Sequence, residues 1–176
     1  MIVLKDKLKR HKVMTQEEKE LLLKDLCSRL PHDVIVEYGV KHEGRDLGEK
    51  KGKLTGRMLD SYFYNITVGL SQVYSIKPYI RPMSSMTEEE RKDLLITLLG
   101  KNDIKYFKVL QDGSIDNNNA THQDLSNFNI HWINFDGVNA STYIDWLNKN
   151  KFDYRGLIPK GLALEVTNEN NPYKET

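Results

Sequence analysis

Histidine and carboxylate side chains are weighed first here, because together they supply general bases, nucleophile activators and metal ligands. The histidines are His11, His32, His42, His122 and His131. No pair has the i, i+4 helical spacing or the cysteine companion of a zinc site, so no metal is expected. His131 stands in the alternating stretch Phe128-Asn129-Ile130-His131-Trp132-Ile133-Asn134-Phe135, which reads as a strand. There it shares a face with Asn129 and Ile133 and is placed to meet Asp124, Asp136 or Asp145, the pairing a small hydrolase would build around a general base. No nucleophile accompanies it, so a structural imidazole is the simpler reading and no catalytic residue is assigned.

Asp145, Asp153 and Glu165 are the remaining carboxylates with any case for paired acid–base work. Asp153 is better explained as the cap of the turn Tyr154-Arg155-Gly156, and Asp145 as part of a solvated helix face. Cys27, the single cysteine, sits beside Leu26 in an amphipathic pattern and is expected packed or half-packed, with only His32 near it as a base. Gly44, Gly48, Gly52 and Gly56 match neither the P-loop nor the dinucleotide fingerprint, and no helix is expected after them. No cofactor follows.

Two surfaces have binding chemistry. Lys41, Arg45, Lys50, Lys51, Lys53 and Arg57 could contact phosphates, with Tyr62 or Tyr64 stacking on bases, which is the basis of a nucleic-acid-binding reading centred on residues 41–57. Glu43, Asp46 and Glu49 interrupt that run. Residues 1–85 carry a net +5 and residues 86–176 a net −4, giving +1 overall, too little asymmetry for a dedicated nucleic-acid binder. The other surface is aromatic: Trp146, Phe152 and Tyr154, with Trp132 and Arg155, are types that anchor protein interfaces, although core packing would use them equally well.

The elements that must position these groups follow from period and punctuation. Thr15-Gln16-Glu17-Glu18 is a capping box opening a helix over 16–29 that stops before Pro31. From Asp33 the period falls to two, with Val34, Val36 and Tyr38 on one face of a strand. Residues 41–53 read as a mobile glycine-rich loop, and strands are expected at 54–59, 61–68 and 72–80, a meander or small barrel. Pro78 and Pro82 stiffen the exit from this module. Thr87-Glu88-Glu89-Glu90 is a second capping box, with a helix to Leu99 and a stop at Gly100. A strand at 104–110, the turn Asp112-Gly113 with a short return at Ser114-Ile115, and a polar loop at 116–119 precede the His131 strand. A helix at 140–149, a compact turn at 152–159 and a strand at 162–166 complete the chain.

Lys77 to Glu90 and Tyr143 to Ile158 resemble a family of small proteins of Bacteroides-type gut bacteria and their phages. The resemblance covers most of 77–165 and implies a bacterial or phage-infected cytoplasm; it implies no activity, because none is assigned to that family. The N-terminus has charges where a signal peptide needs an apolar stretch, and nothing approaches the ~20 apolar residues of a membrane span, so a cytoplasmic location is expected.

The expected architecture is α+β: an N-terminal helix over 1–32, an antiparallel β-module over 33–83, a mixed α/β subdomain over 84–167 and a frayed polar tail over 168–176. The expected role is that of a non-enzymatic accessory or protein-interaction protein. The nucleic-acid module and the His131 hydrolase stand as alternatives.

Overall fold

The computed structural model describes residues 14–67, 69–100, 107–117 and 137–174. Its first helix, α1 (Gln16–Arg29), begins where the capping box places it. The Thr15 hydroxyl accepts from the Glu18 amide at 3.1 Å, and the Glu18 carboxylate accepts from the Thr15 amide at 3.0 Å. A 3-10 turn at Leu30–His32 and Asp33 at φ +53° end it. Cys27 is exposed rather than packed, because it lies one residue past the buried stripe of Leu22, Asp25, Leu26 and Arg29.

The β-module differs from expectation in two elements. Residues expected to form a loop are β2 (Arg45–Lys53), which forms a hairpin with β1 (Ile35–His42). Its two-residue turn, Glu43-Gly44, has both residues at positive φ, the geometry that matches strand twist. The strand was hidden because nearly all of β2 is exposed at a sheet edge, where charge replaces alternation. Residues 56–64, expected as parts of two strands, instead form α2 (Gly56–Tyr64), capped by Thr55. A helix therefore does follow the evenly spaced glycines. Met58, Leu59, Tyr62 and Phe63 recur at helical spacing and pack on the core, whereas the aromatic run 62–64 suggests strand by propensity alone.

β3 (Ser71–Ile80) returns beside β1, and β6 (Leu164–Glu165) joins β3 in parallel, so the sheet order is β2-β1-β3-β6. The fold is α+β, with β1 in the middle of its antiparallel module. One sheet face, bearing Val36, Ile76 and Ile80, packs with Leu22 and Leu26 of α1 and Leu59 of α2. Leu157, Leu162 and Ala163 enter this same core, so it draws on both sides of residue 84.

A second core joins α3 (Glu88–Leu99), the hairpin β4 (Phe107–Val109) and β5 (Ile115–Asn117), and α4 (Gly137–Lys149). The Thr87–Glu90 capping box forms, and Glu90 also receives a two-pronged bond from Arg81 at 2.6 and 2.9 Å. Burial pushes the Glu90 carboxyl up, but the bonds from Arg81 and Thr87 outweigh it and hold it below its ordinary value of 4.5. The depressed value means this contribution to stability is complete above pH 4.5 and is lost as pH falls below it. Acid titration of unfolding should therefore show a shallower decline in Glu90→Gln than in the native protein.

Residues 168–174, expected to fray, are docked. The Tyr173 hydroxyl donates to the Tyr79 carbonyl at 2.8 Å and accepts from the Ile35 amide at 3.1 Å, bridging the ends of β3 and β1. Burial raises its pKa to about 12. Tyr173→Phe leaves both groups unpaired and is expected to cost about 1–3 kcal/mol, measured by urea unfolding. Among the described residues no helix is long and apolar enough to cross a membrane.

Candidate functional site

β6 pairs with β3 only at Tyr79 and Ile80, so the outer edge of β3 below Tyr79 has no strand partner among the described residues. At the start of β3, α2 covers that edge: the Val73 amide donates to Ser61 Oγ at 2.9 Å, and Gln72 Nε2 to Asn65 Oδ1 at 2.9 Å. Between α2 and β6 lies a cleft of about 510 Å³. Leu22 and Ile76 line its floor, Met14, Tyr62 and Leu164 its walls, and Glu37, Glu49, Lys77 and Lys160 its polar rim.

The direction of the Ile76 main chain follows from proline chemistry. Pro78 has no N–H, so its pairing with Val36 is not a doubly hydrogen-bonded one. Alternation then makes Glu37–Lys77 the bonded pair and turns the Ile76 N–H and C=O away from β1. Ile80, of the same parity, shows where they aim: its carbonyl accepts from the Val166 amide on the β6 side at 2.8 Å. The Ile76 groups thus point to the cleft side of β3, where the residue as a whole is 2% exposed.

The rim is fixed by the opposite sheet face. The Tyr79 hydroxyl donates to Glu37 at 3.1 Å, while Lys51 Nζ lies 4.8 Å from the Tyr79 ring centroid. Burial and the Glu37 carboxylate raise the Tyr79 pKa against the pull of Lys51. Tyr74, the extra residue at the bulge of β3, lies over Gly39 and donates to Asp46 at 2.9 Å. A Cβ at Gly39 would overlap the Tyr74 ring and approach Ser75 Oγ at 2.6 Å, so only glycine lets the ring sit there.

The six basic residues of 41–57 do not form one surface. Lys51 and Lys53 face away from the helices with Glu37 and Ile35, whereas Lys50 shares the face of Tyr38 and Arg57 lies on α2. Three already have partners: Lys53 pairs with Asp33, Lys51 with Tyr79, and Lys41 lies 5.2 Å from the Tyr74 centroid. Arg45 sits at the hairpin tip opposite His42. Tyr64 is exposed, but Tyr62 packs on the core.

The aromatic group is likewise divided. Trp146 and Phe152 lie inside the second core, stacked at 5.8 Å between centroids, and present no surface to a partner. Tyr154 and Arg155 are half-buried against α1: the Arg155 guanidinium carbon is 4.8 Å from the Tyr154 centroid, and its Nε is 3.4 Å from Asp25. Asp153 caps the following turn, its carboxylate accepting from the Leu157 and Ile158 amides at 2.8 Å each. Asp145 is exposed and lies 3.4 Å from His32. His131, its strand at 128–135 and Trp132 lie outside the described residues.

Sequence reasoning missed the β3 edge because an unpaired edge is a property of the neighbour that ends early. The only local signal was Pro78, a residue that sheets tolerate at edges. No group of three metal-ligating side chains occurs among the described residues. Comparison of the chain with protein-family models, with curated proteins and with solved structures finds no match.

Proposed function

We propose that this is a non-enzymatic accessory protein that binds an extended segment of a protein partner along the open edge of β3. The observation that carries the reading is the Ile76 main chain, whose N–H and C=O point away from β1 toward an apolar-floored cleft, with no strand beside them among the described residues. An added strand satisfies such groups, and alternate side chains of the segment would fill the pocket of Leu22, Tyr62 and Leu164. The mixed rim of Glu37, Glu49, Lys77 and Lys160 suits a segment with charges of both signs flanking an apolar residue. A bacterial or phage setting for this role rests on the resemblance of residues 77–165 alone. The dispersal of the basic residues of 41–57 favours a protein over a nucleic acid as partner.

The test is selection of linear peptides from a random library on the intact protein, followed by affinity measurement on Leu164→Lys and the rim variant Lys77→Glu/Lys160→Glu. Loss of on the order of tenfold in affinity in Leu164→Lys is expected, the scale of one interface anchor. Peptides that bind both variants as well as the native chain would refute the site, as would a selection yielding none.

A further inference from the structure

On the other side of β6 lies a second cleft, of about 670 Å³, between the end of β3, the C-terminal end of α4 and the tail. Arg81, Lys149 and Lys151 line it against a single carboxylate, Glu165. Arg81 is already occupied: its guanidinium binds Glu90 and the Ser85 carbonyl. The uncompensated charge therefore belongs to the two lysines.

Lys151 is held with unusual firmness for a lysine. It adopts φ +62°, a left-handed conformation that side-chain-bearing residues seldom take. Its amide donates to the Asn148 carbonyl at 3.1 Å, and its carbonyl accepts from the Arg81 amide at 2.7 Å. Its ammonium donates to the Lys149 carbonyl at 2.6 Å and lies 5.4 Å from the Tyr173 centroid. Burial lowers its pKa, and Lys149 and Arg29 add to that against partial relief from Asp33. Asp33 is itself engaged by Lys53. The half-buried charge thus meets a carbonyl and a ring, but no carboxylate bonded to it. Lys149 is exposed, and among the described residues its ammonium, the Asn168 side chain and the Asn171 NH2 have no partner.

We infer that this cleft binds a small phosphorylated, hydroxyl-bearing molecule, with the phosphate between Lys149 and Lys151 and the polar remainder against Asn168, Asn171 and Glu165. Lysines act on phosphate as point charges, whereas the planar fork that matches a carboxylate, Arg81, is spent on Glu90. The volume lies in the range of small-molecule sites and exceeds what an inorganic ion needs. Glu165 provides an acceptor that an inorganic phosphate would avoid and a ligand hydroxyl would use.

Calorimetric titration of the full chain with glucose 6-phosphate as the phosphomonoester probe, and with inorganic phosphate and citrate for comparison, tests this. Saturable binding of the sugar phosphate is expected, tighter than that of either other anion. Lys151→Gln and Lys149→Gln should each weaken it on the order of tenfold, the loss of one charge-assisted hydrogen bond, with the variant of exposed Lys92 on α3, Lys92→Gln, unchanged. Lys149 is exposed, so its variant keeps the test decisive if Lys151→Gln fails to fold. No heat of binding up to about 10 mM ligand, beyond the weak millimolar range, would overturn the inference. Equal binding of citrate, or affinity unchanged in both lysine variants, would overturn it too.

Discussion

Replacing Asp25 by alanine is expected to destabilise the fold by about 3–5 kcal/mol, the cost of leaving a buried charge without its partner. Arg29 and Asp25 are both fully buried one helical turn apart on α1. Arg29 Nε donates to Asp25 Oδ2 at 2.6 Å and Nη2 to Oδ1 at 3.1 Å, while Nη2 also reaches the Phe152 carbonyl at 2.8 Å. Arg155 approaches the same carboxylate at 3.4 Å. Without Asp25, the Arg29 and Arg155 guanidinium groups, both packed on the Tyr154 ring, would lose the carboxylate they share. The pair therefore ties α1 to the 152–155 turn, although Arg29 Nη1 is buried with no hydrogen-bond partner among the described residues. Asp25→Leu combined with Arg29→Met should recover most of the loss, since apolar replacement of a buried pair is often neutral or better. Urea midpoints of the single and double variants measure both.

Phe152→Ala is expected to cost about 3–5 kcal/mol, as for other fully buried phenylalanines. Phe152 is 0% exposed, stacks on Trp146 and carries the Arg81 guanidinium 4.5 Å from its centroid. Its amide and that of Asp153 bond to the Leu147 and Arg81 carbonyls, so the side chain also fixes where the chain leaves α4. Half-buried Tyr154 should cost less on truncation. Thermal unfolding separates this core role from an interface role: an interface anchor would lose partner binding while keeping the native melting temperature.

Much of the fold was legible where local chemistry determines local structure. Both capping boxes, the Gly100 stop and the Asp112-Gly113 turn act within a few residues of themselves, and each forms. The errors fell where the decisive interaction is distant. β2 is a strand because β1 pairs with it, and none of its own charges signals that. α2 is helical because Met58, Leu59, Tyr62 and Phe63 find a core on one side, which overrides the strand preference of consecutive aromatics. The aromatic turn at 152–155 and the buried Asp25–Arg29 pair were visible only as types, since burial is set by what packs across from them. That the edge of β3 has no strand partner among the described residues depends on β6 being two residues long, a length that no residue of β3 encodes.

The most direct test of peptide binding at that edge is amide hydrogen exchange at neighbouring positions of β3, followed in the free protein and with a selected peptide. The Ile76 amide, turned toward the cleft, should exchange roughly a hundredfold faster than the Lys77 amide bonded to β1, and should become protected when peptide is added. An Ile76 amide as slow as that of Lys77 in the free protein, or one unchanged at saturating peptide, would contradict the account.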